Sequence, residues 1–119
     1  MKTINLSIIV KTCGDRTATV AVLESGGYKK AIVKCLPGAS FKVAFAEAIG
    51  KINQRSIVNL KTNKRSVEVH DLILKENAKQ NHMVFLQPNA DLEMLEWLTY
   101  ETALQNGSDA AIMEDVLKV

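Results

Sequence analysis

The chain has 119 residues, of which 47% are hydrophobic, 24% charged and 5% aromatic. A chain of this length and composition can bury about two-thirds of its surface in one core, so residues 1–119 are expected to form a single domain. No apolar run approaches the roughly 20 residues that cross a bilayer, and residues 1–11 lack the features of an export signal. We therefore expect a cytoplasmic protein that does not enter a membrane.

Charge is unevenly distributed along the sequence, although the net formal charge is only +2. Residues 1–80 contain 14 basic and 6 acidic side chains, whereas residues 81–119 contain 1 basic and 7 acidic ones. A basic segment attracts phosphates, and an acidic segment can shield it or bind a basic partner. The same asymmetry also arises when two opposite surfaces pair within one fold, so the sequence leaves both interpretations open.

The first third of the chain predicts a meander of three antiparallel strands. β-branched residues and period-two alternation mark these strands, which is typical of half-buried β-structure. The predicted strands cover residues 4–11, 17–23 and 28–36. Gly14-Asp15 and Gly26-Gly27 supply the turn residues between them.

An amphipathic helix is predicted after the meander, over about 41–53. Ser40 suits its N-cap, and its apolar residues recur at steps of three and four. A short strand at 57–61 follows. The next segment permits two interpretations: 65–79 forms a helix, or 65–70 (RSVEVH) forms a second hairpin arm. The periodicity favours the helix.

The remaining elements are a fifth strand and two helices. The strand covers 82–86, and a longer helix over about 90–105 ends at Asn106-Gly107. A short C-terminal helix follows over 108–118. The resulting order is β-β-β-α-β-α-β-α with that added helix, which predicts an α/β fold with a mixed α+β sheet.

The two cysteines are expected to be free thiols. If Cys13 and Cys35 end the first and third strands of a meander, two strand spacings separate them by roughly 9–10 Å. A disulfide needs Cα atoms near 6 Å. Neither cysteine has a Cys or His partner at metal-ligand spacing, and His70 and His82 are isolated, so no zinc site is predicted.

This order of elements resembles the ribonuclease H-like fold, the superfamily that includes ribonuclease H, resolvases and the cores of transposases and integrases. The resemblance covers about residues 3–105, so 1–105 would form the core and 108–118 an addition. Active members of the family cut phosphodiesters with two magnesium ions, which clustered carboxylates hold against their mutual repulsion. The resemblance therefore implies acids in the first strand, the first helix, after the fourth strand and in a late helix.

Most of those positions are not acidic in this sequence. Lys11 stands where the first-strand acid of the family would fall, and Asn63 stands where the acid after the fourth strand is expected. Ala44 lies near the position of the helix acid, and Glu47, one turn later, fits a solvated helix residue better than a metal ligand. We therefore expect a non-catalytic ribonuclease H-like protein, a pseudo-nuclease rather than an enzyme, with no metal and no cofactor.

Basic and polar side chains would replace those acids at the carboxyl ends of the central strands. Cationic groups there can bind phosphate directly, without metal and without reading sequence. The predicted nucleic-acid-binding residues are Lys11, Lys61, Asn63, Lys64, Arg65 and Lys30. Any one lysine taken alone fits an ordinary solvated surface better than a binding site, so the prediction depends on their clustering. It does not choose between DNA and RNA.

A different class of function would use the acidic C-terminal part. A small protein-binding accessory or inhibitor module, of the kind found in mobile elements, would mimic phosphates or dock a basic partner there. The predicted partner-binding residues are Glu93, Glu96, Trp97 and Tyr100. The apolar residues of the last helix would equally support a homodimer.

Overall fold

The computed structural model describes residues 2–13, 16–36 and 41–87. Within these residues the elements follow the predicted order. In chain order they are β1 (Lys2–Cys13), β2 (Arg16–Ser25), β3 (Tyr28–Leu36), α1 (Phe41–Gly50), β4 (Ser56–Thr62), α2 (Val67–Ala78) and β5 (His82–Leu86). The predicted helix over about 90–105 and the predicted C-terminal helix lie outside the described residues. Neither α1 nor α2 has the length and apolar character that would let it cross a membrane.

All five strands form one mixed sheet in the order β3-β2-β1-β4-β5. β2 pairs antiparallel with β1 and β3, whereas β4 pairs parallel with β1 and β5. The crossover from β3 to β4 contains α1, the crossover from β4 to β5 contains α2, and both run in the same direction across the sheet. Because such crossovers are right-handed, both helices lie on one face. The prediction of an α/β class with a mixed sheet is confirmed.

The hydrophobic core lies between that face and the two helices. Its residues are two positions apart on the strands and three or four apart on the helices, as the two periodicities require. They are Leu6, Ile8, Ala21, Phe41, Ala44, Phe45, Ala48, Val58, Leu60, Val69, Ile73 and Val84. The rings of Phe41 and Phe45 stack with their centroids 5.7 Å apart. Because Phe41 is fully buried, its truncation to alanine is expected to cost about 3–5 kcal/mol.

The segment with two interpretations is a helix. α2 buries Val69 and Ile73, one turn apart, in the core, which a hairpin arm would not do. The helix begins at Val67, two residues later than predicted, because the Ser66 side chain caps it by accepting the Val69 N–H at 3.4 Å.

Helix α1 ends earlier than the predicted residue 53. The Lys51 N–H donates to the carbonyls of both Glu47 and Ala48 at 3.2 Å, and the Ile52 N–H donates to the Ile49 carbonyl at 3.0 Å. The final turn is therefore tightened, which is common where a helix stops. Ile52 continues the apolar pattern because it packs against the core from outside the helix.

The turn between β2 and β3 matches its predicted chemistry. Gly26 and Gly27 have φ of +56° and +82°, and the flanking residues Ser25 and Tyr28 are paired. Two successive positive φ angles suit a two-residue hairpin loop, and glycine adopts them without a Cβ clash. The predicted turn at 14–15 and the predicted N-cap at residue 40 lie outside the described residues.

The two cysteines lie on different strands. Cys13 ends β1 and Cys35 belongs to β3, and β2 runs between these two strands. Their backbones lie two strand spacings apart, roughly 9–10 Å, and the register separates them further, since Cys13 pairs with Arg16 and Cys35 with Ala18.

Candidate nucleic-acid interface

The candidate site lies at the carboxyl end of the parallel strands. β1, β4 and β5 run in one direction, and the residues that follow β4 and β5 meet at the same edge of the sheet, beside the last part of β1. Lys61 is the penultimate residue of β4, and Asn63, Lys64 and Arg65 follow that strand directly. We call residues 63–65 the basic loop. Ligands of open α/β sheets bind at this type of edge.

Asn63 holds the start of the basic loop against β1. β4 pairs with β1 as far as Ile8↔Thr62, and β1 continues beyond that pair. There the Asn63 Oδ1 accepts the Val10 N–H at 2.9 Å, and the Asn63 Nδ2 donates to the Val10 carbonyl at 2.8 Å. The side-chain amide therefore satisfies both backbone groups of Val10, as a neighbouring strand would. We call these two bonds the Asn63 clamp.

The rest of the basic loop is held by two further bonds. The Lys64 N–H donates to the Thr62 Oγ1 at 3.1 Å. The Arg65 Nη2 donates to the Gln87 carbonyl at 3.4 Å, and the Gln87 N–H donates to the Leu60 carbonyl at 2.8 Å. Arg65 therefore connects the residues that follow β4 with the residue that follows β5.

Three cationic side chains lie at this edge with one acid beside them. Lys61 and Arg65 are exposed, and the Lys64 side chain is 37% exposed. The Lys64 Nζ lies 3.7 Å from the Glu68 Oε2, and such exposed pairs stabilise by about 1 kcal/mol at most. Among the described residues, the Arg65 guanidinium donates one N–H bond to a carbonyl, and the planar fork of its five N–H donors matches the geometry of a phosphate.

The first turn of α2 faces the same loop. Ser66 caps the helix, so the loop runs directly into the end at which backbone N–H groups point outward. The helix dipole gives this end a partial positive charge, which attracts anions and favours Glu68 in the first turn. Loop cations and helix dipole thus create a positive field at one edge.

The structure brings together part of the predicted set. Lys11 directly follows Val10, the residue that the Asn63 clamp holds, so its backbone lies beside the basic loop. Lys30 pairs with Leu23 on the outer strand β3. Three strand spacings, roughly 14 Å, separate β3 from β4, so Lys30 does not belong to this cluster.

The structure does not test the predicted acidic protein-binding site. Glu93, Glu96, Trp97 and Tyr100 lie outside the described residues, as do the apolar residues of the predicted last helix. The protein-binding alternative and the homodimer therefore stay predictions.

Sequence reasoning missed a polar groove at the opposite, amino end of the parallel strands. Lysines from both helices line this groove, namely Lys42, Lys75 and Lys79, together with the buried Glu76 and His82. Lys75 and Lys79 lie one turn apart near the end of α2, which is a signal in the sequence. That they line the same groove as Lys42 depends on how α1 packs against α2, which no local pattern predicts.

The basic loop offers anion binding rather than metal coordination. Its side chains are two cations and an amide that Val10 already engages. Nowhere in the ranges 2–13, 16–36 and 41–87 does a group of three His, Cys, Asp or Glu residues come close enough to hold a metal ion. The chemistry that this edge supports is therefore electrostatic contact with a phosphate.

Comparison with known proteins assigns no family to this chain. The sequence matches no protein-family model, and it is similar to no curated protein.

Proposed function

We propose that this protein binds the sugar-phosphate backbone of DNA or RNA through the basic loop and Lys61. One observation supports this most strongly: two exposed cations, Lys61 and Arg65, and the half-buried Lys64 lie within five residues at the carboxyl ends of β4 and β5, beside the continuing strand β1. Arg65 suits phosphate because its fork can donate two parallel N–H bonds. A helix N-terminus beside these cations strengthens the same field.

The clamp gives this surface a fixed shape. A lysine on a mobile loop loses side-chain and backbone entropy when it binds, which weakens binding. Here Asn63 is bonded to β1, Lys64 to Thr62 and Arg65 to the Gln87 carbonyl. The loop backbone is therefore ordered before a ligand arrives. Asn63 supports binding by positioning the loop, and the cations make the contact.

The fold proposed for this function is a ribonuclease H-like scaffold without catalysis. The strand order β3-β2-β1-β4-β5, with antiparallel and parallel halves, supports the resemblance. Asn63 follows β4 where an active member of the family would carry an acid, and its amide is bonded to Val10. Lys11, in β1, is likewise not anionic. We therefore propose binding without cleavage.

Contacts of this kind position a backbone without reading its bases. Binding should accordingly tolerate changes of sequence and depend steeply on salt, since each neutralised phosphate releases counterions. Each lost contact should lower the slope of log K against log salt by about 0.9 for duplex DNA and about 0.7 for single strands.

Fluorescence anisotropy with labelled single- and double-stranded oligonucleotides tests the proposal. We expect binding at low salt that weakens steeply with added salt and does not change, at constant ionic strength, when magnesium replaces EDTA. We expect binding to weaken several-fold in each of the variants Lys61→Ala, Lys64→Ala and Arg65→Ala. Each variant should also reduce the slope of log K against log salt by the amount that one phosphate contact contributes.

Lys51→Ala is the matched control, because Lys51 is exposed and follows α1, away from the basic loop. This variant should keep the affinity and slope of the wild type. Undetectable binding at low salt, or equal losses in Lys51→Ala and Arg65→Ala, would overturn the proposal.

A further inference from the structure

The groove at the amino end of the parallel strands is a second candidate site. It has a volume of about 850 Å³ and lies between α1 and α2. This volume falls within the range of small-molecule sites. Its walls include the apolar Phe45, Ile49 and Leu72, which can contact the flat face of a ring.

A carboxylate on a buried residue lines this groove, and no residue of the described ranges binds it. Glu76 is only 6% exposed and belongs to the groove lining. Among the described residues, no hydrogen bond or ion pair holds its side chain, and its carboxylate oxygens keep some access to water. A carboxylate removed from most of its water is costly unless donors satisfy it. The groove is the route by which a ligand's N–H groups would reach Glu76.

A buried imidazole lies in the same groove. His82 is 5% exposed, and its Nδ1 lies 3.1 Å from the Oγ of the fully buried Ser56. That bond fixes the ring and leaves Nε2 for a ligand. The groove therefore combines a buried acceptor, a fixed imidazole and the ammonium groups of Lys42, Lys75 and Lys79.

These features place two different requirements on a ligand, which must offer N–H donors to the carboxylate and negative charge to the lysines. The unpaired carboxylate favours a group with two adjacent N–H donors, which guanidinium and guanine both present. Three lysines disfavour the cationic guanidinium and favour a ligand that carries phosphate. Adenine has a single exocyclic amine on the corresponding edge, next to an acceptor that the carboxylate would repel. Guanosine phosphate meets both requirements.

We propose that this groove binds a guanosine phosphate, with the guanine edge on Glu76 and the phosphate on Lys75 and Lys79. The same chemistry comes from a free nucleotide or from a guanosine within a single strand. The site is separate from the basic loop, so it stands or falls independently of the backbone-binding proposal.

Isothermal titration calorimetry of the full chain with GMP, IMP and AMP tests the base. IMP lacks only the exocyclic amine of guanine, so it isolates one of the two N–H bonds. We expect GMP to bind roughly tenfold more tightly than IMP, since IMP loses one charge-assisted N–H bond to the carboxylate, and more tightly than AMP. Inorganic phosphate should bind weakly and compete with GMP.

Variants of the groove test the two halves of the ligand. Glu76→Gln replaces one acceptor with a donor, so it should remove the preference for GMP over IMP. Lys75→Ala should weaken GMP, IMP and AMP alike. Lys51→Ala is the matched control and should leave all three affinities unchanged, because Lys51 is exposed and does not line the groove. Circular dichroism would establish that each variant is folded.

A free nucleotide and a guanosine within a single strand are distinguished as ligands by comparing GMP with the oligonucleotides d(TTTGTTT) and d(TTTTTTT). Tighter binding of the guanosine-containing strand, lost in Glu76→Gln, would support a strand as the source, and GMP binding lost in the same variant would support the free nucleotide. Equal affinities of the wild type for GMP, IMP and AMP, or binding of neither GMP nor the guanosine-containing strand, would overturn the proposal. The wild-type comparison remains decisive even when a variant does not fold.

Discussion

Two asparagine side chains make the same pair of bonds in two regions of the sheet. Asn63 bonds the N–H and carbonyl of Val10 at 2.9 and 2.8 Å. Asn77, near the end of α2, accepts the N–H of Val84 at 2.7 Å and donates to its carbonyl at 3.3 Å. We call the second pair the Asn77 clamp. The two clamps consist of the same pair of hydrogen bonds, and they lie at different positions in the sheet.

The difference lies in what each clamp replaces. The Asn63 clamp continues the pairing of the inner strand β1 where its neighbour β4 has ended. The Asn77 clamp covers Val84 on β5, which is an edge strand of the sheet. An unpaired edge is a template for pairing with another chain, and natural sheets cover it. One clamp therefore positions a loop, and the other protects an edge.

Asn63→Ala should produce the largest change. It leaves two part-buried backbone groups of Val10 unpaired, and each such group costs about 1–3 kcal/mol. We expect the free energy of unfolding in urea to fall by about 2–4 kcal/mol and nucleic-acid affinity to fall as the basic loop loosens.

Asn59→Ala is the control for that variant. Asn59 also bonds across β1 and β4, but its Nδ2 meets the Asn5 Oδ1 at 3.4 Å on an exposed surface. It should change stability by less than about 0.5 kcal/mol. If both variants lose the same stability, the clamp does not hold the loop.

Asn77→Ala should have a smaller effect on stability and a distinct effect on association. Water can reach part of the uncovered edge, so we expect a loss of about 1–2 kcal/mol. The freed edge should also promote concentration-dependent self-association, which sedimentation velocity measures. The neighbouring Asn81→Ala should stay at the wild-type oligomeric state. An unchanged sedimentation profile for Asn77→Ala would show that the clamp does not protect the edge.

Ser56→Ala tests a single side-chain bond at the other end of β4. Removing the hydroxyl takes away the 3.1 Å contact with the His82 Nδ1, and one such bond contributes about 1 kcal/mol. Thermal unfolding should report a loss of this size, clearly below that of Asn63→Ala. If Ser56→Ala lost as much stability as Asn63→Ala, the expected order of the two effects would be wrong.

Glu68→Ala should have the smallest effect on stability and increase nucleic-acid affinity. The Glu68 carboxylate pairs with Lys64 on an exposed surface, so its loss should cost less than about 1 kcal/mol. Its removal frees Lys64 for phosphate and removes a repulsive charge. Anisotropy titrations should show tighter binding, and weaker binding in this variant would count against phosphate contact at Lys64.

The sequence predicted the order of elements in the described residues because each element carries its own local signal. The alternation in β2 and the glycines at 26 and 27 predicted a hairpin, and β3 and β5 have the predicted bounds. Element ends were less predictable. β1 reaches Cys13 rather than residue 11, since pairing with β2 extends the strand beyond its β-branched stretch.

The candidate site was only partly predictable, for a different reason. The cations of the basic loop are adjacent in sequence, so their clustering needed only the end of β4 to be located. The role of Asn63 depends on Val10, 53 residues away, and the partner of a short polar side chain across that distance leaves no periodic trace. The groove around Glu76 likewise requires two helices to meet.

The most direct test of the central claim is an NMR titration of the labelled protein with a short oligonucleotide. Backbone amide shifts should change at Lys61, Lys64 and Arg65, with smaller changes at Val10 and Gln87, which are bonded to the basic loop. Added salt should reverse these changes. Shift changes that leave the basic loop unaffected, or that persist at high salt, would contradict phosphate binding at the carboxyl end of β4.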